Sequence, residues 1–504
     1  MLNGFTRCFW MALGCSFFLA TFALNPSKEP TINQVPVTYR FTFDNVQVPN
    51  NPRMGLVGLH YLMHFKPWWQ FGFAGYGAVS GAQGGLFSLG LETGLHKKLF
   101  GRVYANAGTF LGGGGGKSAQ QIVGSGLMLA HYIGLAYDFN YFQLGLNYSI
   151  VNFPTGDVHS HQIELNLDIP SVLYYAEPNF NEAIFYTKAA SYEKNYLMAL
   201  EKNYFQKSGT LNTGGVVQDQ TMHLLGIELG HYLTDRNMVM VQLAGGISGI
   251  KNGYMDVFLG TGYQMPVWDS RLSALAKFYL GAGGGGGVET GGGWMIWPVA
   301  GLNYAFTTTD SIEMDGGYLK APSGNLAAKT LLIGWNHSLN MLDEEDSHLP
   351  ETAYLTNWRF RFSNETYFHP ARDSQLSDEN IQLIKLKFDR FLNHYFYLTG
   401  QGSFAYAGYH AGSYAVGELG LGAQTIQQPK RFSLYSELLL GAAGGGGVAV
   451  NQGAILQPMI GVDYQFTPYL GWQMATGRVM AFSGKLNSVV VDTGLSLSFG
   501  KYIL

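Results

Sequence analysis

The most regular feature of the chain is alternation of apolar and polar residues with a period of two. Val37, Tyr39, Phe41 and Phe43 alternate with Thr38, Arg40, Thr42 and Asp44. Ile163, Leu165 and Leu167 alternate with Gln162, Glu164, Asn166 and Asp168, and Trp358, Phe360 and Phe362 with Arg359, Arg361 and Ser363. Near the C-terminus Val489, Val491, Leu495, Leu497 and Phe499 alternate with Val490, Asp492, Gly494, Ser496 and Ser498. Successive side chains of a strand point to opposite faces, so this pattern predicts strands with one apolar and one wet face. In the last third of the chain it predicts eight strands, at 356–366, 381–392, 395–408, 413–425, 431–443, 454–466, 469–482 and 487–500. Short links such as Asn393-His394 and Thr467-Pro468 alternate with longer ones at 367–380 and 444–453.

The same unit occurs three times. Glycine runs at Gly112–Gly116, Gly283–Gly287 and Gly444–Gly447 are each followed by a Gly-x-x-Tyr-x-Phe segment, at Gly134, Gly301 and Gly461. A third landmark, Pro154-Thr155-Gly156, Pro322-Ser323-Gly324 and Phe482-Ser483-Gly484, follows in each copy. Three landmarks keeping one order and a spacing of about 160 to 171 residues make a threefold repeat. The first two copies parse like the third, which gives about 24 strands, with each glycine run ending a fifth strand at an outward-facing rim. The rim glycines are bounded by Gly112 and Gly116, Gly283 and Gly287, and Gly444 and Gly447.

The copies are placed at 24–170, 171–341 and 342–504, after a leader at 1–23. Ile169-Pro170 runs almost directly into Val172-Leu173-Tyr174-Tyr175, which favours one continuous sheet closing as a single barrel of about 24 strands. Three tandem eight-stranded barrels are the alternative. Residues 183–204 break the pattern: they concentrate Ala, Leu, Met, Glu and Lys without Gly or Pro, which predicts a helix in an outer loop, as a cap or a plug.

Composition narrows the class. The 504 residues include 68 glycines, with 14% aromatic and only 13% charged residues, a turn-rich β composition. Hydrophobicity with little net charge excludes disorder, and a net charge of -4 excludes a basic face of the kind nucleic acid requires. Arg7 precedes an apolar segment from Cys8 to Phe22, with the small residues Thr21 and Ala23 beside a cleavage position, which reads as a secretory signal peptide. Cys8 and Cys15 both lie in it, so the exported chain is expected to have no disulfide, thiolate metal site or cysteine nucleophile. No later apolar stretch approaches the length of a membrane helix, so any membrane crossing uses strands.

Aromatic residues cluster near strand ends: Trp68, Trp69, Trp294, Trp297, Tyr464, Phe466, Tyr469 and Trp472. With the leader, the alternating segments and the alternating loop lengths, the chain resembles bacterial outer-membrane β-barrels as a class, and no one family within it. It departs from that class in continuing for five residues after Phe499. The resemblance implies an all-β transmembrane antiparallel barrel in the cell outer membrane, in contact with outer-membrane lipid and inserted by the barrel-assembly machinery. It implies a channel or transport pore with no chemistry. A lipid- or polysaccharide-modifying enzyme, and a surface scaffold or adhesin acting through outer loops, are the alternatives.

Candidate chemistry is sparse. Lys117-Ser118 after the first run lacks the spacing and following helix of a phosphate loop, and the other runs lack the lysine. Asn106, Lys277 and Glu437 stand in one register ahead of the three runs and on the wet face, as candidate lumen-facing residues that tune selectivity or merely hydrate a wall. His159 and His161 point to one face without evident further ligands, and His337-Ser338, the candidate pair for lipid chemistry, are adjacent and point to opposite faces. No catalytic residue, cofactor or metal is assigned, and the oligomeric state is left open.

Overall fold

The computed structural model describes residues 32–116, 122–179, 185–186, 192–250, 253–267, 271–342, 353–372, 378–425 and 431–503. The leader at 1–23 and Lys117-Ser118 lie outside them. The first eight strands are β1 (Asn33–Val46), β2 (Met54–Lys66), β3 (Trp69–Ser80), β4 (Phe87–Phe100), β5 (Val103–Gly115), β6 (Leu127–Asp138), β7 (Gln143–Asn152) and β8 (His159–Tyr175). All neighbours are antiparallel, and β1 pairs back onto β8 from Asn33↔Tyr175 to Asp44↔Glu164, which closes a barrel.

After a two-residue strand β9 (Phe185–Tyr186), a second set follows: β10 (Tyr192–Gln206), β11 (Met222–Tyr232), β12 (Asn237–Ser248), β13 (Met255–Pro266), β14 (Leu272–Gly284), β15 (Trp294–Ala305), β16 (Asp310–Lys320) and β17 (Ala327–Leu342). β10 pairs with β17 from Tyr192↔Leu342 to Gln206↔Ala328, so this set closes too. The third set is β18 (Ala353–Phe368), β19 (Ile381–Phe391), β20 (Phe396–Ala407), β21 (Ala415–Gln424), β22 (Phe432–Gly444), β23 (Ala454–Gln465), β24 (Leu470–Ala481) and β25 (Asn487–Ile503). It closes through β18 and β25, from Tyr354↔Ile503 to Phe368↔Val489. One pair, Met341↔Ile503, bridges the second and third barrels.

A single wide ring of about 24 strands is therefore not what the chain forms. The first junction explains the difference. Residues 171–175 do not open a new copy: they extend β8, with Ser171 opposite Val37 and Tyr175 opposite Asn33, and the chain leaves the barrel only at Ala176. The helix expected over 183–204 is corrected where it is described, at 185–186 and 192–204; residues 183–184 and 187–191 lie outside the described residues. Tyr192–Gln206 is the first strand of the second barrel, with Tyr196, Met198, Leu200, Lys202 and Tyr204 buried inside and the residues between them facing out. Two full edges of hydrogen bonding, to β11 and β17, override the local preference for helix.

The barrels bury their charges inside, beside apolar layers, and are apolar outside. Ile133, Ile163 and Ile460 are 64%, 62% and 64% exposed on outer walls, while Arg40, Arg359 and Arg361 are each 1% exposed inside. Exposed aromatics gather at the short-turn end, where Trp68, Phe139, Tyr141, Tyr304, Phe306, Tyr395, Phe396 and Phe466 lie. Trp294, Phe368 and Phe482 are exposed toward the other end. Along β15, Trp294 and Tyr304 bound an outer face about 33 Å long at 3.3 Å per residue, or about 23 Å in height for a strand tilted near 45°.

Candidate functional site

The site with most chemistry is the inside of each barrel. In the first, Arg40 grips Asp168 with two hydrogen bonds, Nε to Oδ1 at 2.7 Å and Nη2 to Oδ2 at 2.8 Å. Its third nitrogen donates to the Tyr132 hydroxyl at 2.5 Å, and Tyr132 donates to Glu92 at 2.8 Å. Glu92 also pairs closely with His60. Strand register assembles this cluster: β1, β2, β4, β6 and β8 each supply one inward position at similar height.

In the second barrel Lys202 donates to Asp256 at 2.6 Å and Gln242 at 2.8 Å, and Gln242 passes the chain to Glu228 at 2.8 Å. Tyr196 and Tyr279 donate to Glu228, both at 2.7 Å, and Lys277 joins Glu228 at 3.4 Å to Glu313 and to Asp315 at 3.5 Å. In the third, Arg359 and Arg361 share Asp389 at 2.7 Å each, while Arg361, Lys387 and Tyr397 converge on Glu437. Lys385 sits between Asp492 at 2.5 Å and Glu365 at 3.2 Å. Among the described residues carboxylates outnumber cations in every lumen: Asp44, Glu92, Glu164 and Asp168 face Arg40 alone as a fixed cation in the first. Among the described residues only this lumen has histidine rings close to its network, His60 within it and His64 and His96 near the short-turn mouth with centroids 5.8 Å apart.

An apolar layer seals the other end of each lumen. Val46, Met54, Phe110, Val151, Phe153 and Val158 are buried together in the first barrel, and Tyr204, Met222, Leu224, Val288, Leu319 and Leu326 in the second. Ile381, Tyr414, Leu439, Val448, Val479 and Leu486 do the same in the third. An eight-stranded barrel is just wide enough for side chains to fill it, and here they do.

The structure turns Asn106, Lys277 and Glu437 inward on β5, β14 and β22, but into three separate lumens, so they do not form one ring around a shared channel. Asn106 meets His96 Nδ1 at 2.7 Å, and Lys277 and Glu437 are central to their networks. Arg40, Arg359 and Arg361 were visible in the sequence as polar members of alternating strands; their partners across the barrel were not, because they come from strands far away in the chain.

The other candidates stay apart. His161 Nδ1 lies 3.0 Å from the Tyr148 hydroxyl on an outer wall, and among the described residues no group of three or more His, Cys, Asp or Glu is placed to hold a metal. His337 Nδ1 bonds Asp310 Oδ1 at 2.8 Å, and Ser338 uses its backbone N–H on Thr309.

The glycine runs end β5, β14 and β22, and they lie where barrels touch. A Cβ on Gly113 would stand 2.5 Å from Phe404 O, and one on Gly115 would stand 2.5 Å from Ser413 N, both in the third barrel. The second run meets the first barrel: Gly85, at φ +86°, abuts Gly284 and Gly285, and Gly84 N–H donates to Gly291 O at 3.0 Å. The third run meets the second barrel, where a Cβ on Gly253 would lie 3.0 Å from Gly445 N. Phe87, Ala282 and Phe404, one from each barrel, pack together where the three meet.

No protein-family model matches the chain. No curated protein matches it either. The chain is similar to several solved structures at low identity. Pseudomonas aeruginosa OccK11 (OpdR) is 9% identical with a TM-score of 0.22, covering 95% of this chain and 100% of that one. Acinetobacter baumannii OccAB3 is 11% identical at 0.21, covering 93% and 98%. The siderophore receptor PirA from Pseudomonas aeruginosa is 11% identical at 0.27, covering 94% and 81%.

Proposed function

We propose that the chain is an outer-membrane protein with a transport role, in which three narrow lumens replace one wide pore. The observation that carries this reading is the inversion of polarity: each barrel keeps its charges inside and presents aliphatic side chains around its outside. A water-soluble barrel has no reason to expose Ile133, Ile163 and Ile460, whereas in lipid that arrangement is required. The outer face of β15, about 23 Å high between aromatic residues, suits the apolar band of an outer membrane. The lumens are closed as they stand, and their acidic excess favours cations over anions once opened.

A second reading, a non-conducting membrane scaffold, is favoured by the apolar layers that seal each lumen. Planar-bilayer recording separates the two. The transport reading expects brief, small, cation-selective openings in the wild type, and larger ones when Phe110 and Phe153 of the first seal are cut to alanine. Silence of both proteins after verified insertion leaves the scaffold. The outward orientation of the glycine-run end and insertion by barrel-assembly machinery belong to this proposal too, and surface protease accessibility of the 207–221 loop tests the orientation.

A further inference from the structure

Where the three barrels face one another, the third carries a buried arginine that has no ion pair among the described residues. Arg390 is next to last in β19, and its neighbour Asp389 points into the lumen, so Arg390 points out of the barrel. It is nevertheless only 8% exposed. Its guanidinium lies 6.0 Å from the centre of the Trp358 ring, and its Nε is buried without a hydrogen-bond partner among the described residues. Trp358 Nε1 is also buried without a partner. The groups that act on Arg390 are Tyr354 of its own barrel and Asp310 of the second, and the Asp310 carboxylate is already committed to His337, Thr307 and Thr309.

Above Arg390 the space between the barrels is lined by aromatic residues. Phe73 of the first barrel lies 5.7 Å from Phe360 and 5.8 Å from Phe388 of the third, and Tyr61 stacks on Phe73 at 5.3 Å. Phe388 remains 43% exposed there. Toward the glycine-run end the space is shut by Phe87, Ala282 and Phe404. At the opposite end Leu392, Tyr395 and Phe396 are exposed on the turn that follows Arg390, at the level of the aromatic belt. The space is thus aromatic above Arg390, cationic toward the short-turn end, and closed toward the glycine-run end.

We propose that this space between the barrels binds one glycerophospholipid from the leaflet at the short-turn end, with its phosphate on Arg390 and Trp358 Nε1 and its acyl chains along Phe360, Phe388 and Phe73. The site rests on the membrane reading above. A buried guanidinium lacking an anion is costly, and its planar fork matches two phosphate oxygens. Phosphate carried on acyl chains satisfies both halves of the space, whereas free phosphate satisfies only the lower half.

Native mass spectrometry of the full chain in detergent, titrated with palmitoyl-oleoyl phosphatidylglycerol, tests the site. The wild type should retain one lipid per chain. Arg390→Leu should weaken retention at least tenfold, and Phe388→Ala, which leaves the guanidinium in place, several-fold. Diacylglycerol should be retained no better than by Arg390→Leu, and inorganic phosphate should not displace the bound lipid. Equal retention by the wild type and both variants overturns the site, as does diacylglycerol binding as well as the phospholipid or displacement by phosphate alone. A wild-type chain that stays dispersed in water without detergent refutes the membrane reading instead.

Discussion

Arg40 shows what a buried charge is worth in this molecule. It holds Asp168 with two hydrogen bonds and reaches Glu92 through Tyr132, all inside one lumen. Arg40→Met should leave two carboxylates facing each other without a fixed cation and destabilise the first barrel by about 3–5 kcal/mol. Urea unfolding in detergent, followed by heat-modifiable electrophoretic mobility, measures this. Replacing Arg40 and Asp168 together by Met and Asn should recover part of the loss, since no unpaired carboxylate is then added at that end. A double mutant no more stable than Arg40→Met would mean that the pair is not what stabilises the lumen. At this scale the sequence was half legible. Alternation marked Arg40, Arg359 and Arg361 as belonging to a wet face, but which side of a sheet is wet depends on closure, a long-range property that no local pattern encodes.

Strands were the most legible elements. In the third copy the alternation read strands at 381–392, 431–443 and 454–466, and the structure has Ile381–Phe391, Phe432–Gly444 and Ala454–Gln465. The failure at Tyr192–Gln206 has a plain cause: Met198, Leu200 and Lys202 are good helix formers, yet their inward spacing of two is what the barrel uses. The glycine runs were legible as landmarks and illegible as contacts, because their partners are hairpins in another barrel. Gly85 offers the sharpest element-scale test. Its φ of +86° disfavours any side chain, and a Cβ would lie 2.5 Å from the Gly284 carbonyl carbon and the Gly285 nitrogen. Gly85→Val should cost about 2 kcal/mol or more through strain and lost contact. Amide exchange should rise first along the facing ends of β3 and β14, while the lumen network of β1 and β8 stays protected. Uniform loosening of the first barrel would contradict a role confined to the contact between barrels.

For the whole molecule, the contacts between barrels run one way around. The run of the first barrel lies on the third, that of the second on the first, and that of the third on the second. Each barrel thus gives one kind of surface and receives another, the arrangement of a head-to-tail interface that closes after three steps. Closure within one polypeptide makes the assembly independent of concentration: dilution cannot separate partners that share a chain. It also means that an incomplete ring has two unlike, mutually complementary ends. A chain truncated after residue 342 would keep the contact of the second run with the first barrel, while the first run and the hairpin around Gly253 would both lose their partners. Such ends can meet only on other molecules, so the two-barrel chain should form dimers or longer chains in detergent that grow with protein concentration. Light scattering after size exclusion reads this directly, and a monodisperse two-barrel species at every concentration would show that the ring has no directional closure to lose.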